Sequence, residues 1–368
     1  MKLSTKSRAA TLSLALAGTL ALTACGASNE GGGNAASSSS GPSLSGDLNG
    51  AGSSAQQAAM QAWQAGFSSI QPNVTVNYDP VGSGGGREQF LSGGVDFAGS
   101  DAALSDEELT KSTDRCGAKG VFELPDYVSA IAVVYNLPGV DELNLKPATI
   151  AGIFGGAITT WDDPAIAADN PNAKLPSTAI TPVHRSDDSG TTKNFTDYLS
   201  KAAGDVWTYP AAGVWPLPTG EAANGTSGVI SAVSGNEGTI GYADESQAGK
   251  LGVAKIGVGD TFVTPTAEAA AKVVEGSELV TGRGQYDLAY TINRATTSAD
   301  EYPIVLVSYL IGCVQYDKQE TADLVKAFTG YVISGEGQQA AAKAAGSAPL
   351  SAGVRDKAQS AVDAITAA

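Results

Sequence analysis

The chain has 368 residues, of which 22 are basic, 38 acidic, three cysteine and one histidine, giving a net charge of −16 at neutral pH. Such an acidic balance excludes a nucleic-acid partner and an electrostatic grip on anionic lipid headgroups. It does not exclude an anionic ligand, because a closed site holds an anion by local dipoles and hydrogen bonds whatever the distant surface carries.

In chain order, Lys2, Lys6 and Arg8 precede an apolar stretch over residues 9–21. It is too short to cross a bilayer as a helix and matches the core of a secretory signal. The signal ends in Leu22-Thr23-Ala24-Cys25 followed by Gly26. This is a lipobox pattern, so residues 1–24 are expected to be a lipoprotein signal peptide and Cys25 to carry lipid. The alternative is an ordinary export signal with an incidental cysteine. Cleavage would remove three basic residues and no acidic ones, taking the charge from −16 to −19. Residues 25–45, with Gly31-Gly32-Gly33 and a serine run at 37–40, offer almost nothing to bury and read as a flexible tether reaching about 25 Å.

About 320 residues remain, more than one core usually serves, so two domains are expected. Residues 74–78, 128–135, 179–184 and 304–310 read as strands; residues 55–67, 106–111, 191–202, 324–333 and 352–365 read as helices. Strands and helices alternate, which makes this an α/β chain with mostly parallel sheets rather than a sandwich or bundle. The Ala-rich segment from Gln338 is broken at Gly346-Ser347-Ala348-Pro349. Cys116 and Cys313 are expected to pair in an oxidising compartment, with two buried free thiols as the alternative.

Four segments carry the chemistry. Gly50-Ala51-Gly52-Ser53-Ser54-Ala55 precedes a helix, and its glycines permit close approach of backbone to a ligand. Val81-Gly82-Ser83-Gly84-Gly85-Gly86 is a second strand-to-helix turn; no Lys-Ser/Thr follows its glycines, so it is not a P-loop. After Asp96-Phe97-Ala98-Gly99-Ser100, Asp101 lies outside the helix that Ser105 and Glu108 start as a capping box, and has no evident local cation. In Arg185-Ser186-Asp187-Asp188-Ser189-Gly190-Thr191-Thr192, a strand turns into a helix whose apolar face holds Phe195, Tyr198 and Leu199. Free N–H groups, the helix dipole and hydroxyl donors suit such a start to a tetrahedral oxyanion, though capping by Ser189 or Asp188 needs no ligand.

With the lipobox, with Ile158-Thr159-Thr160-Trp161-Asp162-Asp163 and with Gly235-Asn236-Glu237-Gly238-Thr239-Ile240-Gly241-Tyr242, these motifs make a sequence that resembles the phosphate-binding lipoproteins of bacterial phosphate ABC importers over nearly the whole mature chain. The resemblance implies a two-lobed periplasmic-binding-protein-like fold. It has two mixed, mostly parallel sheets flanked by helices, with a ligand cleft and a hinge between the lobes. Residues 46–128 and 302–368 would form lobe 1 and residues 129–301 lobe 2, with crossings near 126–134 and 297–304. Cys116 and Cys313 would then share a lobe. Position by position, the resemblance places Ser54, the backbone of Ala55, Ser83 and Asp101 on the first lobe. Arg185, Ser189, Gly190 and Thr191 come from the second, with Asp187 orienting Arg185. Ala55 stands where an aromatic residue is frequent, and Asp188 replaces a frequent glycine.

The expected ligand is inorganic phosphate, the partners are the permease and ATPase subunits of the importer and the membrane through lipid on Cys25, and the protein is expected to be a monomer with no cofactor, no metal and no catalysis. Arginine, hydroxyl and N–H donors would hold sulfate as well. Asp101 decides between them, because an ionised carboxylate accepts the proton that phosphate keeps and sulfate lacks. Arsenate and sulfate are the rival ligands. A tethered serine hydrolase or phosphatase using Ser83 or Ser189 is the rival class, but His184, the only histidine, is expected to be a packing or surface residue rather than to act, and no cluster has metal-ligand spacing.

Overall fold

The computed structural model describes residues 43–368; the signal peptide, Cys25 and nearly all of the tether lie outside the described residues. The first half runs β1 (Ser45–Gly52), α1 (Gln57–Ile70), β2 (Asn73–Asp79), α2 (Ser83–Leu91), β3 (Phe97–Ser100), α3 (Asp106–Cys116) and the long strand β4 (Val121–Asn136). The second places β5 (Thr181–Arg185), α4 (Gly190–Ala202), β6 (Glu221–Ala223), α5 (Gly225–Gly235) and β7 (Thr239–Asp244) in the same alternation. The chain then returns through β8 (Val305–Cys313) to three helices, α6 (Gln319–Ile333), α7 (Gly335–Ala345) and α8 (Ala352–Ala364).

These strands form a nine-stranded sheet in the order β2-β1-β3-β8-β4-β7-β5-β6, with a short strand, Gly252–Val253, also on β4. Its ends are parallel, β2-β1-β3 on one side and β7-β5-β6 on the other. Antiparallel pairing is confined to the middle, where β8 meets β3 and β4, and β4 meets β7. The two expected sheets are thus joined: the N-terminal part of β4 pairs with β8, and Ile131 to Asn136 pair with β7. All of β4 but its last residue and all of β8 are buried, which explains their near-continuous apolar runs.

β4 begins earlier than its apolar pattern suggested because Glu123, fully buried, is neutralised within the fold. Its carboxylate accepts the Leu104 N–H at 2.7 Å and pairs with Arg283. The Ser105–Glu108 capping box forms as expected, and α7 ends at Gly346 in the left-handed conformation. Cys116, closing α3, is bonded to Cys313, closing β8. No helix among the described residues is long and apolar enough to cross a membrane.

Candidate functional site

Three helix starts meet where the two halves of the sheet face each other. Ser83 opens α2, Ser189 caps α4, and Gly225 and Thr226 open α5. Ser189 Oγ accepts the Thr192 N–H at 3.2 Å, so the capping reading of this serine holds. Ser83 Oγ accepts the Asp101 N–H at 3.1 Å.

Asp101 sits just past β3 and links the halves. Its Oδ1 accepts from Ser308 on β8 at 2.7 Å, its Oδ2 from Thr191 on α4 at 3.1 Å, and its main-chain oxygen from Asn194 at 2.6 Å. Burial pushes its carboxyl above the ordinary range, while the Ser53, Ser308 and Thr191 hydroxyls and the Arg185 charge pull it back. Gly190 has no room for a side chain: a Cβ there would lie 2.5 Å from Ser83 Oγ and 2.6 Å from Asp101 Cβ.

Arg185, at the end of β5, points its guanidinium at Asp187, with Nε 2.7 Å from Oδ1 and Nη2 on Oδ2. Asp187 also accepts the Gly225 N–H at 3.1 Å. Burial raises the Asp187 carboxyl, but the Arg185 bonds and charge outweigh it, so it lies below the usual value. The Arg185 side chain is 2% exposed, and its Nη1 takes no protein acceptor among the described residues. Gly82 must be glycine: its φ is 93°, and a Cβ would fall 2.3 Å from Asp187 Oδ2.

Ser54 faces α5, its Oγ accepting the Thr226 N–H at 3.0 Å and lying 3.1 Å from Thr226 Oγ1. The Ala55 N–H, just before α1, donates to Ser53 Oγ at 3.0 Å. The extra carboxylate of Asp188 finds space between Gly84 and Gly213, with Arg87 Nη2 3.9 Å away, and its carbonyl accepts the Gly84 N–H at 3.0 Å. Cross-cleft bonds from Thr191 to Asp101 and from Gly84 to Asp188 make this a closed arrangement. A cleft of about 290 Å³ runs up to Asp101 past Lys193, Asn194, Arg283 and Arg294.

One network of contacts therefore joins Ser54, Ser83, Asp101, Arg185, Asp187, Ser189, Gly190 and Thr191. Sequence reasoning missed Gly225 and Thr226, Ser308, and Gln247, whose amide donates to the carbonyls of Ser54 and Ala55. Asn224-Gly225-Thr226-Ser227-Gly228, which caps and opens α5 directly after a strand, carries the same signal as the other glycine- and hydroxyl-rich motifs. His184 stacks on Trp215 with ring centroids 5.1 Å apart, and its Nδ1 is 2.9 Å from the Arg185 carbonyl oxygen, so it packs as expected. Among the described residues no group of His, Cys, Asp and Glu could hold a metal ion.

The PBP superfamily domain matches residues 36–336. The chain is 37% identical to the phosphate-binding protein PstS 2 of Mycobacterium tuberculosis, over 97% of this chain and 98% of that one. It is 36% identical to PstS 3 of Mycobacterium leprae, over 78% and 79% of the two chains. Among solved structures it is similar to a high-affinity periplasmic phosphate-binding protein (PfluDING) bound with phosphate, with a TM-score of 0.70 at 23% identity, covering 86% and 93%. It is also similar to a phosphate-binding protein from Stenotrophomonas maltophilia, with a TM-score of 0.64 at 20% identity, covering 86% and 93%.

Proposed function

Because the chain belongs to the PBP superfamily and, within it, to the family of the PstS phosphate-binding proteins, we propose that it captures inorganic phosphate outside the cell and delivers it to an ABC importer. The observation that carries the reading is Asp101, a buried acceptor set among donors: Thr191 and Ser308 donate to it, the Ser83 hydroxyl accepts its N–H and keeps a proton of its own, and Arg185 acts on it through its charge. Donors alone bind any tetrahedral oxyanion, with charge-assisted bonds contributing about 1.5–3 kcal/mol each. An ionised acceptor takes the proton of phosphate and repels an oxyanion that has none.

In this reading Ser54, Ser83, Arg185, Ser189 and Thr191, with N–H groups at the starts of α2, α4 and α5, surround the anion. Asp187 keeps Arg185 aimed. Lobe 1, residues 46–128 and 302–368, and lobe 2, residues 129–301, close on it about β4 and the segment leading into β8. Cleavage before Cys25 and its lipidation anchor the protein, as a monomer, on the outer face of the membrane, within reach of the permease and ATPase subunits. In this reading the ligand is bound and released unchanged: His184 stacks on Trp215 instead of pairing as a base with Ser83 or Ser189.

Intrinsic tryptophan fluorescence of the soluble part, stripped of ligand and titrated with phosphate and then sulfate, tests this. Trp215 stacks on His184, the neighbour of Arg185, and so reports on the site. A saturable response to phosphate alone supports the reading, and no response to either anion overturns it.

A further inference from the structure

β4 carries an irregularity beside Asp101. Ser308 of β8 faces Tyr127 and Tyr309 faces Pro125, so Asp126 is an extra residue in a β-bulge with no partner across the ladder. Bulges of this kind re-aim a side chain. Asp126 is 1% exposed, and neither of its carboxylate oxygens has a hydrogen-bond partner among the described residues. Gln56, fully buried at the start of α1, likewise leaves both amide atoms unpartnered. Gln56 lies with Tyr78 against Gly99 of β3, the strand that ends one residue before Asp101: a Cβ on Gly99 would meet Gln56 Nε2 at 2.1 Å and Tyr78 Oη at 2.5 Å.

We propose that Asp126 is a positioning residue that bears a proton, leaving Asp101 as the only negative charge of the pair, and that its ionisation at high pH weakens anion capture. The inference rests on the phosphate reading above. Two buried carboxyls in electrostatic contact do not both ionise, and their surroundings decide which one keeps the proton. Asp101 has the Ser308 and Thr191 hydroxyls and the charge of Arg185. Asp126 has burial against it first, then the charge of Asp101; its own N–H and that of Tyr127, which favour the ion, lie nearby without making a hydrogen bond to either oxygen.

Among the described residues no cation acts on it. Tyr78 on β2 feels both carboxylates and is itself pushed up by burial, and the Tyr127 hydroxyl is turned to Asp244. Tyr309 on β8 accepts the Tyr290 N–H, and Gln338 on α7 donates to the main-chain oxygen of Asp126, not its carboxylate. When Asp126 releases its proton to solvent, a second negative charge stands beside the one that already faces the ligand.

The test is phosphate affinity by calorimetry from pH 5 to 10, in the full mature chain and in Asp126→Asn. The proton equilibria of phosphate itself cancel in the ratio of the two affinities. The expected ratio is constant at low pH and then falls against the unsubstituted protein by up to about tenfold per pH unit once Asp126 ionises. Parallel profiles across the whole range, with saturable binding, overturn this proposal alone. Absence of phosphate binding by the unsubstituted protein at every pH overturns the phosphate reading and this proposal with it. If Asp126→Asn does not fold, Asp126→Leu, which also lacks the titrating group and keeps similar volume, gives the same comparison.

Discussion

Replacing Asp101 by asparagine separates selectivity from affinity. The side chain keeps its size, and Ser308 and Thr191, now 2.7 and 3.1 Å from its two oxygens, can reverse donor and acceptor roles, so the cross-cleft contact survives. What is lost is a charged acceptor. A hydrogen bond to an ionised group contributes about 1.5–3 kcal/mol, so phosphate affinity should fall by roughly ten- to a hundredfold. Sulfate brings no proton and meets the carboxylate as like charge against like, at a cost of several kcal/mol that the neutral amide removes. The two changes act in opposite directions, and the phosphate-to-sulfate ratio should narrow by on the order of a thousandfold. Competition calorimetry near neutral pH on ligand-stripped protein measures it. An unchanged ratio, or equal weakening of both anions, would refute the assignment, because Asp101 would then serve only to close the cleft.

Asp187→Asn removes the charged partner of a buried arginine and turns one of its two acceptors into an amide donor, while an amide oxygen remains for the Gly225 N–H; it should cost about 3 kcal/mol, read as phosphate affinity and thermal stability together. Thr226→Val keeps the shape but loses the hydroxyl beside Ser54, so phosphate should leave about five- to tenfold faster in stopped-flow displacement, a loss of about 1 kcal/mol. Reducing the Cys116–Cys313 bridge should lower unfolding stability by about 2–5 kcal/mol in denaturant titrations with phosphate affinity unchanged, since its ends join α3 to β8 away from the site. Asp244 is pushed up to about 6 by burial, against the Ser129, Ser246 and Tyr127 hydroxyls. The folded protein therefore holds a proton that the unfolded chain has released, and stability should fall by about 3 kcal/mol as pH rises from about 4 through 6. Asp244→Asn should flatten that window in denaturation curves taken across it.

Local chemistry made much of this molecule legible before its fold was seen. Ser54, Ser83, Asp101, Arg185 and Ser189 each sit at a strand end or helix start, where glycine and hydroxyl residues interrupt an apolar period within a few residues. Ser308 gave no such sign. It is one hydroxyl inside the apolar run of β8, and only the pairing of β8 with β3 brings it to Asp101. Asp126 was hidden for the same reason, since a bulge is a property of two strands and not of one. Glu123 worked against the reading, because a carboxylate inside a buried strand is acceptable only once Arg283, far along the chain, comes to meet it.

The site also explains how a strongly acidic protein can hold an anion without a field of cations. Ser83 Oγ accepts the N–H of Asp101, Ser189 Oγ that of Thr192, and Ser54 Oγ that of Thr226. A hydroxyl that accepts one main-chain N–H is fixed in position and retains its own proton as a donor. In the proposed reading the bond that stabilises each turn leaves a second donor for the anion, and capping and anion binding become successive uses of one oxygen. Asp101 is the complement, with one oxygen accepting from each half of the fold. Donors fixed in this way are oriented before the ligand arrives, so affinity depends on local geometry, which the −16 of the whole chain hardly touches.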